Sequence, residues 1–445
     1  MDYSNGNAEG GFSVKKLEPV QVLPSGKTPG GLYLLSNLDQ TFPYPIEILF
    51  SYKGNETDNE NATEILKTSL AKILQDFYPF AGCLDTDWGG KMMVNCTGDG
   101  VPFAEAFSED EMGVLGDLFR ADPLKLRKLI HFNETAQNIL EVPPLTVQVT
   151  RFKCGSIILG LAFNHVLVDV KAFAYFLSCW CQVARGLPLS VPPYLDRTIF
   201  SARQPPNIQI SHHEYTKTRY PLPTLVHQNQ QLRINRTFCF TLKLLSQLKN
   251  SVIGNNNNNN NNNNQFSSAP TSFELIAALV WICWTKATKI NPESKTKLLI
   301  AVDGRPKFFE PLPEGYFGNV IAWSCAQSKA RDLTRKTLDF AVRMVQNAIK
   351  EVTEDYIRSA IHHHEVTRKG LDLENSLWIT KGTRLPFYEA NFGWGEPVQV
   401  GPASLVGNLA VTLLEGKVGE NLAVSLSLPA SQMEVFQGLI QPEGF

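Results

Sequence analysis

Apolar positions recur along this chain with two distinct periods. Over 62–77, Ile65, Leu66, Leu70, Ile73 and Leu74 fall at helical spacing, and Thr63 stands where a cap is needed, so the stretch predicts an amphipathic helix. Further on, Leu145, Val147 and Val149 alternate with polar residues, 153–155 offers a turn, and 156–163 is an almost continuous apolar run. That pattern predicts a hairpin whose second strand is buried on both faces and ends at Asn164-His165. Phe173, Phe176, Leu177, Trp180 and Val183 then mark a helix over 171–185 that stops at Gly186. A short strand-to-helix loop, 165–170, is left between them, and such loops on rigid scaffolds often carry chemistry.

From 187 to about 224 the pattern dissolves into prolines and polar residues, which reads as a long crossover. A second half follows: a strand over 233–242, a helix over 242–252, and then ten consecutive asparagines, 255–264, that cannot pack a core and read as a surface loop. Apolar spacing resumes as a helix over 271–288, a buried strand over 297–302, a helix over 330–351, a half-buried strand over 422–428 and a helix over 431–439. The opening stretch to residue 31 is rich in Gly, Pro, Asn and Ser and is expected to be loose. Strands and helices intermingle in both halves, so the class is mixed α/β. The domains are expected at 1–195 and 229–445, with 196–228 as the crossover loop.

Composition removes whole classes of function. The 445 residues are 43% hydrophobic, and 41 Lys+Arg stand against 43 Asp+Glu, so no charge excess points to nucleic acid or an anionic membrane. No apolar run approaches the roughly 20 residues of a membrane span, and the polar start lacks the apolar core of a signal peptide, so a cytoplasmic protein is expected. The eight cysteines lack metal spacing and read as reduced core thiols.

Three clusters hold candidate chemistry. In His165-Val166-Leu167-Val168-Asp169, a histidine closing a buried strand can present a near-neutral imidazole to a cleft as a general base, and Asp169 can turn back to fix the loop. Composition alone yields about 0.4 such pairs, so the motif by itself does not separate a base from a core histidine. In Val302-Asp303-Gly304-Arg305-Pro306, Arg305 is suited to pair a carboxylate. Asn391-Phe392-Gly393-Trp394-Gly395 reads as a rigid turn used in packing, since its flanks do not form the strand and helix of a phosphate cradle. The remaining histidine clusters, His212-His213 and His362-His363-His364, lack zinc spacing and read as solvated faces.

Together these motifs, with Gly315-Tyr316-Phe317-Gly318-Asn319, Phe77-Tyr78-Pro79-Phe80-Ala81-Gly82 and Ser272-Phe273-Glu274, resemble the plant BAHD acyltransferase family over essentially the whole chain. The resemblance implies two chloramphenicol-acetyltransferase-like domains, each a mixed sheet with helices, joined by the crossover and separated by a solvent channel. Acyl-CoA, a co-substrate and the sole cofactor-like requirement, would enter from one face and a small-molecule alcohol or amine from the other. They would meet at His165 as general base, without metal or covalent acyl-enzyme, in a monomer. It further implies that Asp169 pairs with Arg305 away from the channel and that Asn391, Phe392, Gly393, Trp394 and Gly395 set domain geometry. Gly382, Thr383 and Arg384 would face the acceptor, and Thr271 and Ser272 would lie near the CoA entrance.

Three departures from the family pattern stand out. Val170 replaces a usual glycine and is expected to strain the loop, since a β-branched residue tolerates positive φ badly. Asn391 replaces a usual aspartate, and Gly382 a frequent tryptophan whose loss would widen the acceptor pocket. The first two motivate an alternative: a ligand-binding protein that keeps the fold but has lost turnover. Leu35-Ser36-Asn37-Leu38-Asp39-Gln40 and Leu312-Pro313-Glu314 most resemble the branch that joins hydroxycinnamoyl groups to long-chain alcohols or ω-hydroxy acids.

Overall fold

A computed structural model describes residues 12–54, 61–133, 135–215, 233–257, 266, 268–382, 385–414 and 421–440. Thr383, Arg384, residues 216–228 of the crossover and residues 258–264 of the asparagine tract lie outside the described residues.

The predicted hairpin forms: Leu145–Phe152 and Ile157–Asn164 pair antiparallel, Leu145 opposite Phe163 and Arg151 opposite Ile157. They lie inside a sheet ordered Lys15–Lys16, Val101–Ser108, Leu145–Phe152, Ile157–Asn164, Pro45–Tyr52 and Gln399–Pro402, with Val20–Val22 also paired to Val101–Ser108. Helices Ala62–Ile73 and Val170–Ala184 supply the core on one face, and Leu115, Leu126, Leu129 and Ile130 cover the other. Covered twice, all eight residues of Ile157–Asn164 are buried, as the continuous apolar run requires. The approach is so close at Gly160 that a Cβ there would lie 2.0 Å from the Leu129 carbonyl oxygen.

A second sheet runs Arg233–Phe240, Leu422–Pro429, Leu409–Leu414, Ser376–Lys381, Lys295–Asp303 and Ile321–Lys329. Alternation along its strands sends Leu298, Ile300, Leu377 and Ile379 onto helices Ser272–Ala287, Leu338–Glu351 and Ala430–Ile440. The opposite face, with Leu299, Trp323, Trp378 and Leu409, packs against Phe42 of the first half. A small third sheet pairs Leu32–Leu34 and Cys83–Thr86 with Met92–Asn95, and the two large sheets make the mixed α/β architecture that the motifs implied.

Four expectations are corrected. The boundary at 229 puts 385–403 in the second domain, yet Phe387, Phe392 and Val400 belong to the first core, because Gln399–Pro402 pairs with the open edge of Pro45–Tyr52. The opening stretch is not loose beyond residue 12, since its strands add to the same sheet. The helix over 330–351 is two, Ala330–Arg335 and Leu338–Glu351, broken where Lys336 turns extended. Finally, the histidine clusters are solvated only in part: His213 is exposed, but the side chains of His212, His362 and His364 are buried. His212 sits between Glu214 Oε1 (2.7 Å) and Ser359 Oγ (3.0 Å), while His362 bridges the Arg203 amide (3.2 Å) and the Asn207 carbonyl (2.7 Å). Helix Glu354–Thr367 thereby hooks the crossover to the second sheet. Of the eight cysteines, all are free; Cys96, Cys179, Cys181 and Cys283 are buried, whereas Cys83 and Cys154 are exposed.

Candidate active site

Strand Ile157–Asn164 delivers His165 beside its neighbour: the His165 amide donates to the Tyr44 carbonyl at 3.0 Å, one step beyond the last ladder pair, Pro45 with Asn164. The chain then turns at once. The Asn164 side chain accepts from the Val166 amide (3.1 Å), and the Leu167 amide donates to the Asn164 carbonyl (3.0 Å). Val166, Leu167 and Val168 are each fully buried in the first core, which leaves His165 as the one half-buried residue between Asn164 and Asp169. Three apolar anchors thus aim a single imidazole outward.

Asp169 ends the loop and begins the helix. Its Oδ1 accepts from the Ala172 amide at 2.9 Å, capping Val170–Ala184. Arg305 approaches in a fork, Nη1 to Oδ2 at 2.9 Å and Nη2 to Oδ1 at 3.1 Å, and the Val320 amide adds 2.9 Å to Oδ2. Burial alone would raise the carboxyl's pKa; the Arg305 charge and these hydrogen bonds overcome it and hold the pKa below the usual range. With both oxygens engaged, Asp169 is a loop fastener and has no oxygen left for proton relay. Asp303 completes the pair from outside, its Oδ1 3.1 Å from Arg305 Nη1.

Burial pushes the His165 imidazole below the ordinary histidine range, although Asp169 and Asp39 pull it upward. Burial thus favours the neutral ring, the form that can accept a proton. Phe42 meets it edge-on at 5.1 Å between centroids, and Trp323 and Trp378 lie 5.6 Å from Phe42, with Tyr44 6.0 Å from Trp378. This aromatic wall, contributed by both halves, has no local sequence signature; only the pairing of sheet faces assembles it.

The other expected site residues sit elsewhere. Val170 is the first residue of the helix, after an Asp169 at φ −78°, so it takes a helical conformation and the expected strain is absent. Asn391 Oδ1 accepts from the amides of Gly393 (2.9 Å) and Gly395 (3.1 Å), while Phe392 packs on Trp180 and Trp394 on Tyr52, on the outer side of the first core. The Gly382 amide donates to the Thr412 carbonyl at 2.7 Å and extends Ser376–Lys381, which by alternation places position 382 on the face that carries Trp378. Thr271 caps helix Ser272–Ala287 in a reciprocal box with Glu274, and Ser272 is its first residue. Neither touches His165.

Residues 12–441 match the Transferase family as a whole. An ω-hydroxypalmitate O-feruloyl transferase of Arabidopsis thaliana is 41% identical over 98% of this chain and 95% of its own length. The chain belongs to the BAHD acyltransferases. A fatty alcohol:caffeoyl-CoA acyltransferase of the same plant is 37% identical over 96% of this chain and 98% of its own. Vinorine synthase, at 22% identity, shares the fold, with a TM-score of 0.73 over 95% of this chain and 96% of that one. Membership makes this BAHD chain an acyl-CoA-dependent acyltransferase, and among its described residues no helix is long and apolar enough to cross a membrane.

Proposed function

We propose that this acyltransferase moves a hydroxycinnamoyl-type group from its CoA thioester to the hydroxyl of an alcohol, with His165 as general base. The carrying observation is the placement of one half-buried imidazole at the meeting of the two sheets, against an aromatic wall suited to a planar acyl group. The two relatives above support the same reading, since their names join feruloyl or caffeoyl groups to long-chain alcohols or ω-hydroxy acids.

In this mechanism an alcohol with a pKa far above 7 cannot attack as an alkoxide. The imidazole takes its proton as the oxygen adds to the thioester carbonyl; the tetrahedral intermediate then expels the CoA thiolate, which recovers the proton from the histidinium. The new bond is C–O, the broken one C–S, and no acyl-enzyme forms. Gly382, on the face that carries Trp378, leaves room for a long acceptor chain there. The N-terminus of helix Ser272–Ala287, at Thr271 and Ser272, suits the anionic CoA.

Incubation with a panel of acyl-CoAs, alcohols and amines, monitored by free CoA thiol, tests the donor and acceptor. His165→Ala is expected to lower kcat by about 10² to 10⁴ while the fold survives. A variant retaining a third of the wild-type rate overturns the role of His165. Wild-type activity should fall on acidification with a midpoint below about 6.5, because the folded imidazole resists protonation. No thiol release from any donor would favour the non-enzymatic ligand-binding reading.

A further inference from the structure

A second ion pair is buried beside the 165–169 loop. Arg197 Nη1 lies 2.7 Å from Asp39 Oδ1, and the two side chains are 3% and 0% exposed. Arg197 belongs to the stretch read from sequence as mere crossover, and Asp39 opens the 3-10 turn Asp39–Thr41, so the pair joins segments more than 150 residues apart. Burying two charges is expensive, and an apolar pair of equal volume would stabilise the fold as well or better. Stability alone is therefore a poor account of why they stand here.

Their remaining hydrogen bonds point to another role. Asp39 Oδ1 accepts from both the amide (3.0 Å) and the side-chain nitrogen (2.8 Å) of Asn319, while Oδ2 accepts from the Ser36 amide (2.7 Å). Asn319 Nδ2, so oriented, also donates to the carbonyl of His165 at 2.8 Å and to that of Val166 at 3.3 Å. Arg197 Nη2 donates to the carbonyl of the next residue, Leu167, at 2.7 Å, and Nε to the Tyr33 hydroxyl at 2.9 Å. Three successive carbonyls of the loop are thus held by one charged cluster. Gly318 makes the approach feasible: a Cβ there would lie 3.0 Å from both Cζ and Nε of Arg197. The same Gly318 offers its carbonyl to Arg305 Nη2 at 3.1 Å, so 318–320 lies between the two clamps and touches both.

We propose that Arg197 and Asp39, acting through Asn319, are positioning residues that set the backbone of 165–167 and hence the direction in which His165 presents its imidazole. The inference rests on His165 being the general base. Asp169 and Arg305 hold the helix end of the loop; Arg197, Asp39 and Asn319 hold the strand end. The crossover, through Arg197, becomes part of the active-site scaffold.

Arg197→Lys keeps the charge but loses the planar fork, and Asn319→Ala removes the amide donor while leaving the ion pair intact. Each is expected to lower kcat by roughly 10- to 100-fold, the scale of a small misplacement of a reacting group, with KM for acyl-CoA and acceptor within about twofold. In the double variant Asp39→Asn/Arg197→Gln, where no buried charge is stranded, thermal stability should return towards wild type while kcat does not. If kcat recovers with stability, or if Asn319→Ala leaves kcat unchanged, the cluster is purely structural and the proposal fails. Adding Asn319→Ala to His165→Ala should cost little further, because both act through one imidazole; a fully multiplicative loss overturns the proposal. An active His165→Ala enzyme would instead refute the base on which it rests, a result separable from all the others.

Discussion

The loops at 165–169 and 391–395 are equally short and equally diagnostic of the family, yet they are held by opposite means. The first is fixed by charges drawn from distant segments: Arg305 on Asp169 at one end, and Arg197 with Asp39 through Asn319 at the other. The second is fixed locally. Asn391 caps its own turn, Gly393 and Gly395 adopt φ of +125° and +103°, and the rings of Phe392 and Trp394 stack at 5.6 Å on the first core. A loop that must aim a reacting group is tied from several directions. A loop seated on a core by its own rings can rely on backbone conformation and apolar contact. Among the described residues no hydrogen bond or ring contact joins the two loops, so they can be perturbed independently.

The sharpest test of the contrast strikes the charged clamp. Asp169→Asn or Arg305→Ala strands a buried partner and is expected to cost roughly 3–5 kcal/mol of stability together with most of the activity. In urea denaturation the double variant should cost much less than the sum of the two, because the residues act as one unit. Strict additivity would break the clamp account.

A milder effect is expected at the local loop. Beyond its chain neighbours, nothing lies within 4 Å of the point where a Cβ on Gly395 would stand, so Gly395→Ala meets backbone strain alone, about 1–3 kcal/mol at φ +103°. Melting temperature should drop while kcat per folded molecule stays at the wild-type value. A loss of kcat with KM unchanged would show that this loop does reach the chemistry.

The smallest effect is expected at Asn391. Its structural work is to accept two amide hydrogens, which an aspartate does equally well, so Asn391→Asp should shift stability by no more than about 0.5 kcal/mol and leave kcat unchanged. A tenfold rise in kcat would mean that the asparagine does suppress turnover, as the ligand-binding alternative supposes. Val170 already gives that alternative no support, because it sits in the first turn of a helix without strain.

Much of this was legible in the residues. The apolar run 156–163, the turn at 153–155 and the helical spacing after Lys171 located the strand, loop and helix around His165, because period and burial are local properties of a segment. The motif resemblance brought Asp169 and Arg305 together across more than 130 residues, and the fork between them is present. The misreadings share a cause. His212 and His362 read as solvated because a polar residue's burial depends on the partner it meets, and Ser359 for the one, Arg203 and Asn207 for the other, lie about 150 residues away in the chain. Arg197 looked like linker for the same reason.

By itself, then, the order of residues determined the strand, loop and helix around His165, the family and the histidine that stands as candidate base, since these depend on spacing along the chain. It left open which faces meet. That Phe42 meets the imidazole with Tyr44, Trp323 and Trp378 packed around Phe42, that strand Gln399–Pro402 returns to the first sheet, and that a crossover arginine holds the carbonyl of Leu167 were decided by tertiary packing. The physical reason is that a buried charge or an open sheet edge is costly until a partner covers it, and the partner is chosen by three-dimensional complementarity rather than by nearness in sequence.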